Sequence, residues 1–241
     1  MLFELAKDIV KLILVAVSIE LAIRTYVLPH APSWTRPLQT RRVLVLSILI
    51  SAATAIKVTE DVLGQESGPI DEAILWILHQ QVAPDWLPIF EAISASGSAE
   101  ALLPIVGIST LTLLGAKRFS EAKLLLATAV MAPSLIYAIK SIVGRARPEL
   151  WETRTYWGSS FPSGHTLAVA AIATALALCI GRMQPRCRSL AITVASGWTV
   201  LVALSRLVLG VHWPTDVLTA ACIGILIPLV LALTQEINEE R

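Results

Sequence analysis

The sequence predicts an all-α fold, a polytopic bundle of membrane-spanning helices, from three observations. The chain of 241 residues is 55% hydrophobic and only 15% charged, whereas a soluble domain has about 25% charged residues. Apolar runs recur along it, and several reach the length of about 18 residues that crosses a hydrocarbon core. Polar, proline-containing loops separate these runs. The net charge of +1 argues against a nucleic-acid partner, because such proteins carry a basic patch or stripe.

Residues 1–42 are predicted to form an N-terminal helix followed by a basic linker. The apolar run at 9–28 is long enough to span, but Lys11, Glu20 and Arg24 interrupt it. Two interpretations therefore stand: an additional span, or a helix that lies in the membrane interface. No small-residue cleavage site follows the run, so we do not interpret it as a cleaved signal peptide.

The membrane domain is predicted over residues 43–234, and a short polar tail follows at 235–241. Six runs within the domain are predicted to span the membrane: 43–63, 101–115, 122–143, 166–181, 190–209 and 217–234. The run at 166–181 is rich in small residues, which favours close packing against neighbouring helices. The cysteines show no metal-type spacing and are interpreted as packing residues; they are Cys179, Cys187 and Cys222.

The distribution of Lys and Arg predicts the orientation of the chain. Three basic clusters fall on one side of the bundle, which the positive-inside rule assigns to the cytoplasm; they are Arg36, Arg41 and Arg42, then Lys117, Arg118 and Lys123, then Arg182, Arg186 and Arg188. The opposite side holds the loop 144–161, the turn 210–216 and the acidic insert 64–100. Two amphipathic pieces of the insert, near 70–81 and 86–94, are expected along the outer surface, where they help shape lipid access. Three arginines of the outer loop break the charge rule and need another explanation: Arg145, Arg147 and Arg154.

Three polar clusters fall on the outer side, each at the end of a predicted span. They are Lys140 with Arg147-Pro148, then Pro162-Ser163-Gly164-His165, then Ser205-Arg206 with His212 and Asp216. A charged side chain deep in the bilayer costs about 3 kcal/mol even on lenient insertion scales, so such residues indicate a functional site. Taken singly, each has an ordinary explanation, such as a snorkelling anchor or a helix cap. Taken as an ordered set on one face, they predict a single site.

The cations and the helix start suit a phosphate group. Arg147 and Arg206 each present a planar fork to phosphate oxygens, and Lys140 presents a point charge. Ser163 and Gly164 come just before the next predicted helix, whose N-terminus offers N–H groups and a positive dipole end to an anion. Gly164 also lets the backbone approach a ligand closely. These five residues are predicted to bind phosphate.

The two histidines are predicted to divide the catalytic work. Asp216 follows His212 by four residues, and an Asp that accepts from one ring nitrogen leaves the other as a nucleophile. His165, at a helix start, is placed to protonate the leaving alkoxide and then to deprotonate water. The predicted intermediate is a phosphohistidine, and no cofactor or metal is required because the cations stabilise the transition state. Metal ligation by His165 and His212 is the rival interpretation, but it calls for more carboxylates than Asp216 alone.

The order and spacing of these clusters resemble the three-part signature of the type 2 phosphatidic acid phosphatase superfamily. Six residues separate Lys140 from Arg147, and five residues separate Arg206 from His212, as in that signature. The superfamily also includes vanadium haloperoxidases and bacterial undecaprenyl-diphosphate phosphatases. The resemblance covers residues 140–216, and the six predicted spans are similar to the family's membrane core. It implies for each matching residue the role inferred above.

We therefore expect an integral-membrane hydrolase that removes phosphate from a lipid phosphate or diphosphate, at the outer face of a cytoplasmic membrane. Undecaprenyl diphosphate, phosphatidylglycerol phosphate and phosphatidic acid all stay open as substrates, because the signature concerns only phosphate. Two alternatives are a phosphotransferase whose acceptor is not water and a non-catalytic lipid-binding or transport protein. The haloperoxidase branch is soluble, which the apolar composition argues against. The oligomeric state is open, and His30 and His79 are interpreted as ordinary surface or interfacial residues.

Overall fold

The computed structural model describes residues 42–151 and 158–239, together with positions 17, 18, 21 and 25. The predicted helix at 9–28, as a whole, and Arg154 lie outside the described residues. Within the described ranges the secondary structure is helical, with no strand. The prediction of an all-α fold is thereby confirmed.

Eight α-helices occur within the described residues: α1 (Arg42–Leu63), α2 (Gly68–Gln81), α3 (Leu87–Ala95), α4 (Ala99–Gly115), α5 (Phe119–Val143), α6 (Gly164–Met183), α7 (Arg188–Val208) and α8 (Pro214–Glu239). Two 3₁₀ turns, Pro84–Trp86 and Pro185–Cys187, precede α3 and α7. Among the described residues, five segments are long and apolar enough to cross a membrane: Val43–Leu63, Phe119–Val143, Gly164–Met183, Pro185–Val208 and Pro214–Glu239. The chain is therefore a multi-span membrane protein.

The predicted span at 101–115 differs in the structure from its prediction. The run at 101–115 is predicted to cross the membrane alone. In the structure, the segments Pro84–Ala95 and Ala99–Gly115 are long and apolar enough to cross only when taken together, and they meet at a bend of 41°. The bend contains Gly97, where an added Cβ would lie only 3.0 Å from side-chain atoms of Val169 and Val202. Glycine therefore lets the bend pack tightly against α6 and α7. Both amphipathic pieces of the insert are helical, as α2 and α3.

Helix α6 lies at the centre of the bundle. It packs against α5, α7 and α8, and Ala170, Ala171 and Ala175 on it are fully buried. Helix α8 comes especially close at Gly224, where an added Cβ would lie 2.5 Å from the carbonyl oxygen of Leu167. Small residues on both helices thus permit close packing, as the composition of this run predicts. The N-terminus of α6 carries the Ser163-Gly164-His165 motif, so this motif is fixed to the most enclosed helix.

Helix α8 continues through the polar residues after 234 and ends at Glu239. Arg182, in the last turn of α6, donates to Gln235 Oε1 at 3.1 Å and to Glu236 Oε1 at 3.4 Å. Ser120 at the start of α5 donates to Glu239 Oε1 at 2.9 Å. These contacts hold three helix ends together. They lie at the end of the bundle opposite the motif clusters, since the motif clusters lie at the other ends of the same helices.

Candidate active site

The predicted site residues lie at helix ends on one side of the bundle. Lys140 is in the last turn of α5, Ser163 is the N-cap residue of α6, and Arg206 is in the last turn of α7. Asp216 is in the first turn of α8, and His212 lies in the turn that joins α7 to α8. The ends of four packed helices therefore place the three sequence motifs at the same end of the molecule.

Direct contacts join the three motifs. The Ser163 N–H donates to the backbone carbonyl of Asp216 at 3.2 Å, which ties the start of α6 to the start of α8. Arg147 donates to the carbonyl of Val211 at 2.8 Å, and the same Nη1 lies 3.4 Å from Nε2 of His212. The loop after α5, the start of α6 and the turn before α8 are thus one connected structure.

The predicted cations lie close to one another and to His165. Lys140 is close enough to Arg147, Arg206 and Asp216 for their charges to interact. The charges of Lys140, Arg147 and Arg206 also act on His165 in the first turn of α6. Lys140 donates to the carbonyl of Ser159, which holds its ammonium at the site. Cations at this density repel one another, and a phosphate dianion among them would relieve that repulsion.

His212 is nearly inaccessible, with 2% of its surface exposed. Its Nδ1 lies 3.4 Å from Oδ2 of Asp216, and the same oxygen accepts a hydrogen bond of 2.9 Å from the Trp213 N–H. Burial lowers the pKa of His212 to about 4, against the opposing effect of the Asp216 carboxylate. The ring is therefore neutral at pH 7. A proton on Nδ1, facing the carboxylate, leaves the lone pair on Nε2 beside Arg147.

The turn that holds His212 depends on a glycine. Gly210 has φ of 65°, in the left-handed region that side chains disfavour. An added Cβ there would lie 2.8 Å from the ring of Trp151, so packing excludes a side chain as well. Trp151 thereby lies directly against the backbone that positions His212. A tryptophan from the loop after α5 thus supports the turn between α7 and α8.

Gly164 differs from Gly210, because protein packing does not require a glycine there. Among the described residues, an added Cβ on Gly164 would meet only Ile136, at an ordinary contact distance of 3.8 Å. The space beside this helix start is thus available to a ligand, as expected for a phosphate-binding N-terminus. The Ser163 hydroxyl is 3.0 Å from that of Thr166. Within the described residues, no group of three His, Cys, Asp or Glu side chains is arranged to hold a metal ion.

Ser94 is a site residue that the sequence analysis did not identify. It lies on α3 and is buried, and its hydroxyl accepts a hydrogen bond of 2.6 Å from Nη1 of Arg206. Arg206 itself is 3% exposed. The residue pair is 112 positions apart in the chain, so no local pattern marked it. Helix α3 therefore contributes to the site by positioning one of the predicted phosphate ligands.

Asp71 and Arg145 also escaped prediction as site residues. Arg145 donates to Oδ1 of Asp216 at 2.6 Å and to Oδ2 of Asp71 at 2.7 Å. The predicted outward location of Arg145, against the charge rule, was a usable signal, since it marked an arginine that needed a partner. Asp71 gave no such signal, because it appeared as one of several acidic residues in the insert. The structure shows that α2 reaches the site through this aspartate.

The chain is similar in sequence to known phosphatases in the region that carries the three motifs. Residues 121–239 match the PAP2 superfamily. Phosphatidylglycerophosphatase B of Escherichia coli K12 is 42% identical over 74 residues, which cover 31% of this chain and 27% of that protein. The match to this relative thus spans well under half of its length. Phosphatidylglycerophosphatase B of Bacillus subtilis strain 168 is 27% identical over 146 residues, covering 59% of this chain and 72% of the relative.

The fold is shared with a solved membrane protein. The crystal structure of a transmembrane PAP2 type phosphatidylglycerolphosphate phosphatase from Bacillus subtilis superposes with a TM-score of 0.68 at 24% identity. The superposition covers 80% of this chain and 96% of that one. The resemblance inferred from the three motifs is confirmed by the family match and by the shared fold. Through residues 121–239, which carry all three motifs, this chain belongs to the PAP2, or type 2 phosphatidic acid phosphatase, superfamily.

Proposed function

We propose that this protein is an integral-membrane lipid phosphatase that acts through a phosphohistidine intermediate. The observation that carries the proposal is the convergence of the three motifs on His212. A neutral imidazole lies between a carboxylate at Nδ1 and an arginine near Nε2. This is the arrangement that an activated histidine nucleophile needs when its target is an anionic phosphorus centre.

The first chemical step forms the intermediate. Nε2 of His212 attacks the terminal phosphorus while the bond from that phosphorus to the bridging oxygen breaks. This oxygen is an ester oxygen in a lipid monophosphate and an anhydride oxygen in a diphosphate. His165 gives its proton to that oxygen, so the lipid leaves as an alcohol, or as a monophosphate when the substrate is a diphosphate. Lys140, Arg147, Arg206 and the N–H groups at the start of α6 hold the phosphoryl oxygens.

The second step regenerates the enzyme. His165, now neutral, takes a proton from a water molecule whose oxygen attacks phosphorus. The bond between phosphorus and Nε2 breaks, and inorganic phosphate leaves. Asp216 stabilises the positive charge that develops on the His212 ring in the first step, because its carboxylate faces Nδ1.

Phosphatidylglycerol phosphate is our first candidate among the three lipid substrates. Support comes from the two relatives named phosphatidylglycerophosphatase B, which match 31% and 59% of this chain. Phosphatidic acid and undecaprenyl diphosphate present the same terminal phosphate and are the competing substrates. We further propose that the site faces outward from the cytoplasmic membrane. The basic residues between α4 and α5 and between α6 and α7 lie at the opposite end of the bundle, which supports this orientation.

An apolar groove beside the site is suited to the lipid chain of the substrate. It has a volume of about 670 Å³ and runs between α3 and α7; its walls are Pro88, Ile89, Ala92, Ile93, Ser96, Trp198 and Leu201. Helix α3 links the groove to the candidate site, because Ser94 on the same helix accepts a hydrogen bond of 2.6 Å from Arg206. Helix α3 comes from the insert that the sequence analysis associated with lipid access.

Filling the groove tests this part of the proposal. Ala92→Trp should lower kcat/KM for long-chain substrates while leaving short-chain, detergent-soluble analogues largely unaffected. Leu111→Trp, on the exposed face of α4, is the control for adding a tryptophan to the membrane surface. Equal loss on both chain lengths, or no loss on either, would remove the groove from the proposal.

The central experiment measures free phosphate released by the purified protein in detergent. The panel contains phosphatidylglycerol phosphate, phosphatidic acid and undecaprenyl diphosphate, each without an added acceptor alcohol. We expect release from at least one lipid, with phosphatidylglycerol phosphate turned over fastest. Release that appears only when an acceptor is added would identify a phosphotransferase instead. Binding of these lipids with no release under either condition would favour the non-catalytic alternative.

A further inference from the structure

A group of four buried and half-buried side chains lies behind His212, on the side away from Nε2. Asp71 and Asp216 are fully buried, and the Arg145 side chain between them is 16% exposed. Arg145 spans the two carboxylates, with Nη1 at 2.6 Å from Asp216 Oδ1 and Nη2 at 2.7 Å from Asp71 Oδ2. Thr215, the residue before Asp216, is the fourth member. We call this group the Asp71–Arg145 brace.

Thr215 joins the two charged groups of the brace, because it donates to Asp71 and accepts from Arg145. The Thr215 hydroxyl donates to Asp71 Oδ2 at 2.6 Å and accepts from Arg145 Nη1 at 2.8 Å. The Thr215 N–H donates to the other Asp71 oxygen at 3.0 Å. Arg145 Nη2 also donates to the Ser67 hydroxyl at 3.2 Å. Asp71 therefore binds both the backbone and the side chain at the start of α8, which fixes the helix end that carries Asp216.

The brace assigns separate partners to the two oxygens of Asp216. Oδ1 accepts from Arg145, whereas Oδ2 accepts from the Trp213 N–H at 2.9 Å and faces His212 Nδ1 at 3.4 Å. A carboxylate held at both oxygens cannot rotate about its terminal bond. Oδ2 is thereby kept toward the imidazole, which fixes the ring and favours the tautomer with the proton on Nδ1.

Arg145 is distinct in this respect from Arg147, two residues along the same loop. Both terminal nitrogens of Arg145 donate to carboxylates and hydroxyls of the brace. Arg147 instead lies on the Nε2 side of the ring, at 3.4 Å. One arginine therefore acts behind the imidazole and the other in front of it, where the phosphate is expected.

Helix α2 has a second contact with the same turn. Trp76 and His79 pack on Trp151, with the His79 and Trp151 rings stacked at a centroid distance of 4.1 Å. Trp151 in turn lies against Gly210, where an added Cβ would be 2.8 Å away. His79, interpreted from the sequence as an ordinary surface or interfacial residue, thus takes part in this stack. Helix α2 contacts the turn before His212 through Trp151, and the residues after it through Asp71.

We propose that Asp71 and Arg145 are positioning residues for the reaction, which act through Asp216 to orient His212. The proposal rests on the proposed function, in which His212 is the nucleophile. Asp71 lies outside the matched region 121–239 and is 145 positions from Asp216 in the chain. The brace thus extends the site beyond the three motifs to the helix that follows the first described span. In the proposed mechanism, its members contact neither the phosphorus nor the leaving group.

Kinetic measurements on Asp71→Asn and Arg145→Lys test the brace. Asparagine removes one charge and one acceptor from Asp71. Lysine keeps the charge of Arg145 but cannot donate from two separate nitrogens to Asp71 and Asp216. Each variant should lower kcat by about 10- to 100-fold, the usual cost of losing a group that orients a reactive ligand. KM for the lipid phosphate should change by less than about threefold, because the brace does not bind substrate. Asp71→Glu, which keeps the carboxylate, should recover part of kcat.

A spectroscopic readout separates positioning from general stability. The chain has four histidines, so ring nitrogens in protein labelled with ¹⁵N-histidine can be assigned, with His212→Ala to identify the His212 signals. We expect wild-type His212 to hold its proton on Nδ1, and Asp71→Asn and Arg145→Lys to populate both tautomers. Arg182→Gln is the matched control, since it disrupts an interhelical arginine contact about 25 Å away along α6. It should change neither kcat nor the tautomer.

The outcomes are distinct. Lower kcat together with a mixed tautomer supports the brace, whereas wild-type kcat and a wild-type tautomer in both variants overturn it. Lower kcat with an unchanged tautomer also overturns it, because the loss would then not act through His212. If a variant does not fold, Thr215→Val removes the shared hydroxyl and should give a smaller change of the same kind. If the wild-type protein released no phosphate, the proposed function would fail, yet the tautomer measurement would still test the brace.

Discussion

The two ends of the bundle use similar ion pairs in different ways. In the proposed orientation, the end that holds the candidate site is the outer end and the opposite end is the inner end. At the inner end, Arg182 joins α6 to α8 through Glu236 at 3.4 Å, with 21% and 19% of the two side chains exposed. At the outer end, Arg145 joins the loop after α5 to α2 and α8, and both carboxylates are fully buried. Each arginine connects separate segments of the chain. At the outer end, however, two histidines and further cations lie beside the pair.

The difference indicates what buried charge signifies in this fold. A partly exposed pair between helix ends contributes at most about 1 kcal/mol and needs no further role. Fully buried carboxylates carry a desolvation penalty that structure alone seldom justifies. The outer pair is therefore better explained by the histidine that it orients. Four predictions test this contrast, beginning with the largest expected effect.

His212→Ala should reduce phosphate release by about 10⁴-fold or more, since removing the nucleophile of a covalent mechanism has effects of this size. Turnover is measured as phosphate released per mole of purified protein. Elution from size-exclusion chromatography in detergent checks that the variant is folded. Activity within tenfold of the wild type would exclude His212 as the nucleophile.

Arg206→Lys should lower kcat/KM by about 10- to 100-fold, although the charge is kept. Lysine loses the planar fork and cannot hold both the Ser94 hydroxyl and a phosphate oxygen. Steady-state kinetics on the preferred lipid measure the effect. Arg182→Lys, the same substitution at the inner end, should stay within about twofold of the wild type. Equal losses of kcat/KM in Arg206→Lys and Arg182→Lys would contradict a functional difference between the two ends.

The His212 ring should not titrate between pH 5 and pH 8, because burial lowers its pKa to about 4. A histidine with the usual pKa of about 6.5 would be almost fully protonated at pH 5. The folded pKa is below the unfolded one, so stability is full above about pH 6.5 and declines as the pH falls toward 4. NMR of ¹⁵N-labelled rings follows the titration. A midpoint above pH 6 would contradict the structure.

Arg182→Gln should have the smallest effect. It removes the inner-end contacts with Gln235 and Glu236, so we expect a loss of at most about 1 kcal/mol in stability. Phosphate release should remain within about twofold of the wild type, because no site residue is touched. Thermal unfolding and activity are measured in the same detergent. A large loss of activity at unchanged stability would show that the two ends are coupled.

The motifs were predictable because each is local in the chain. Lys140 and Arg147 flank the end of α5, and His212 and Asp216 flank the start of α8, so spacing alone indicated their proximity. The spans at either side of these motifs were also visible as apolar runs. By contrast, hydropathy did not indicate that α8 continues through the polar residues after 234, which contact Arg182 and Ser120.

The residues that escaped prediction make contacts over long separations in the chain. Asp71 meets Arg145 across 74 positions, and Ser94 meets Arg206 across 112. Nothing in the residues near Asp71 distinguishes it from the other acids of the insert. The outward arginines indicated that something was missing, but they did not identify Asp71 as the partner.

By itself, the sequence determined that this is an all-α membrane protein with three polar motifs on one side. Hydropathy, loop charge and motif spacing are properties of short stretches of chain, so they can be recognised in the sequence alone. Only the tertiary structure decided that Arg145 lies behind His212 while Arg147 lies in front. It also decided that α2 and α3 enter the site. The physical reason is that these contacts join residues far apart in the chain, so they depend on how the helices pack against one another. For α3, the close packing of the bend at Gly97 against α6 and α7 also contributes.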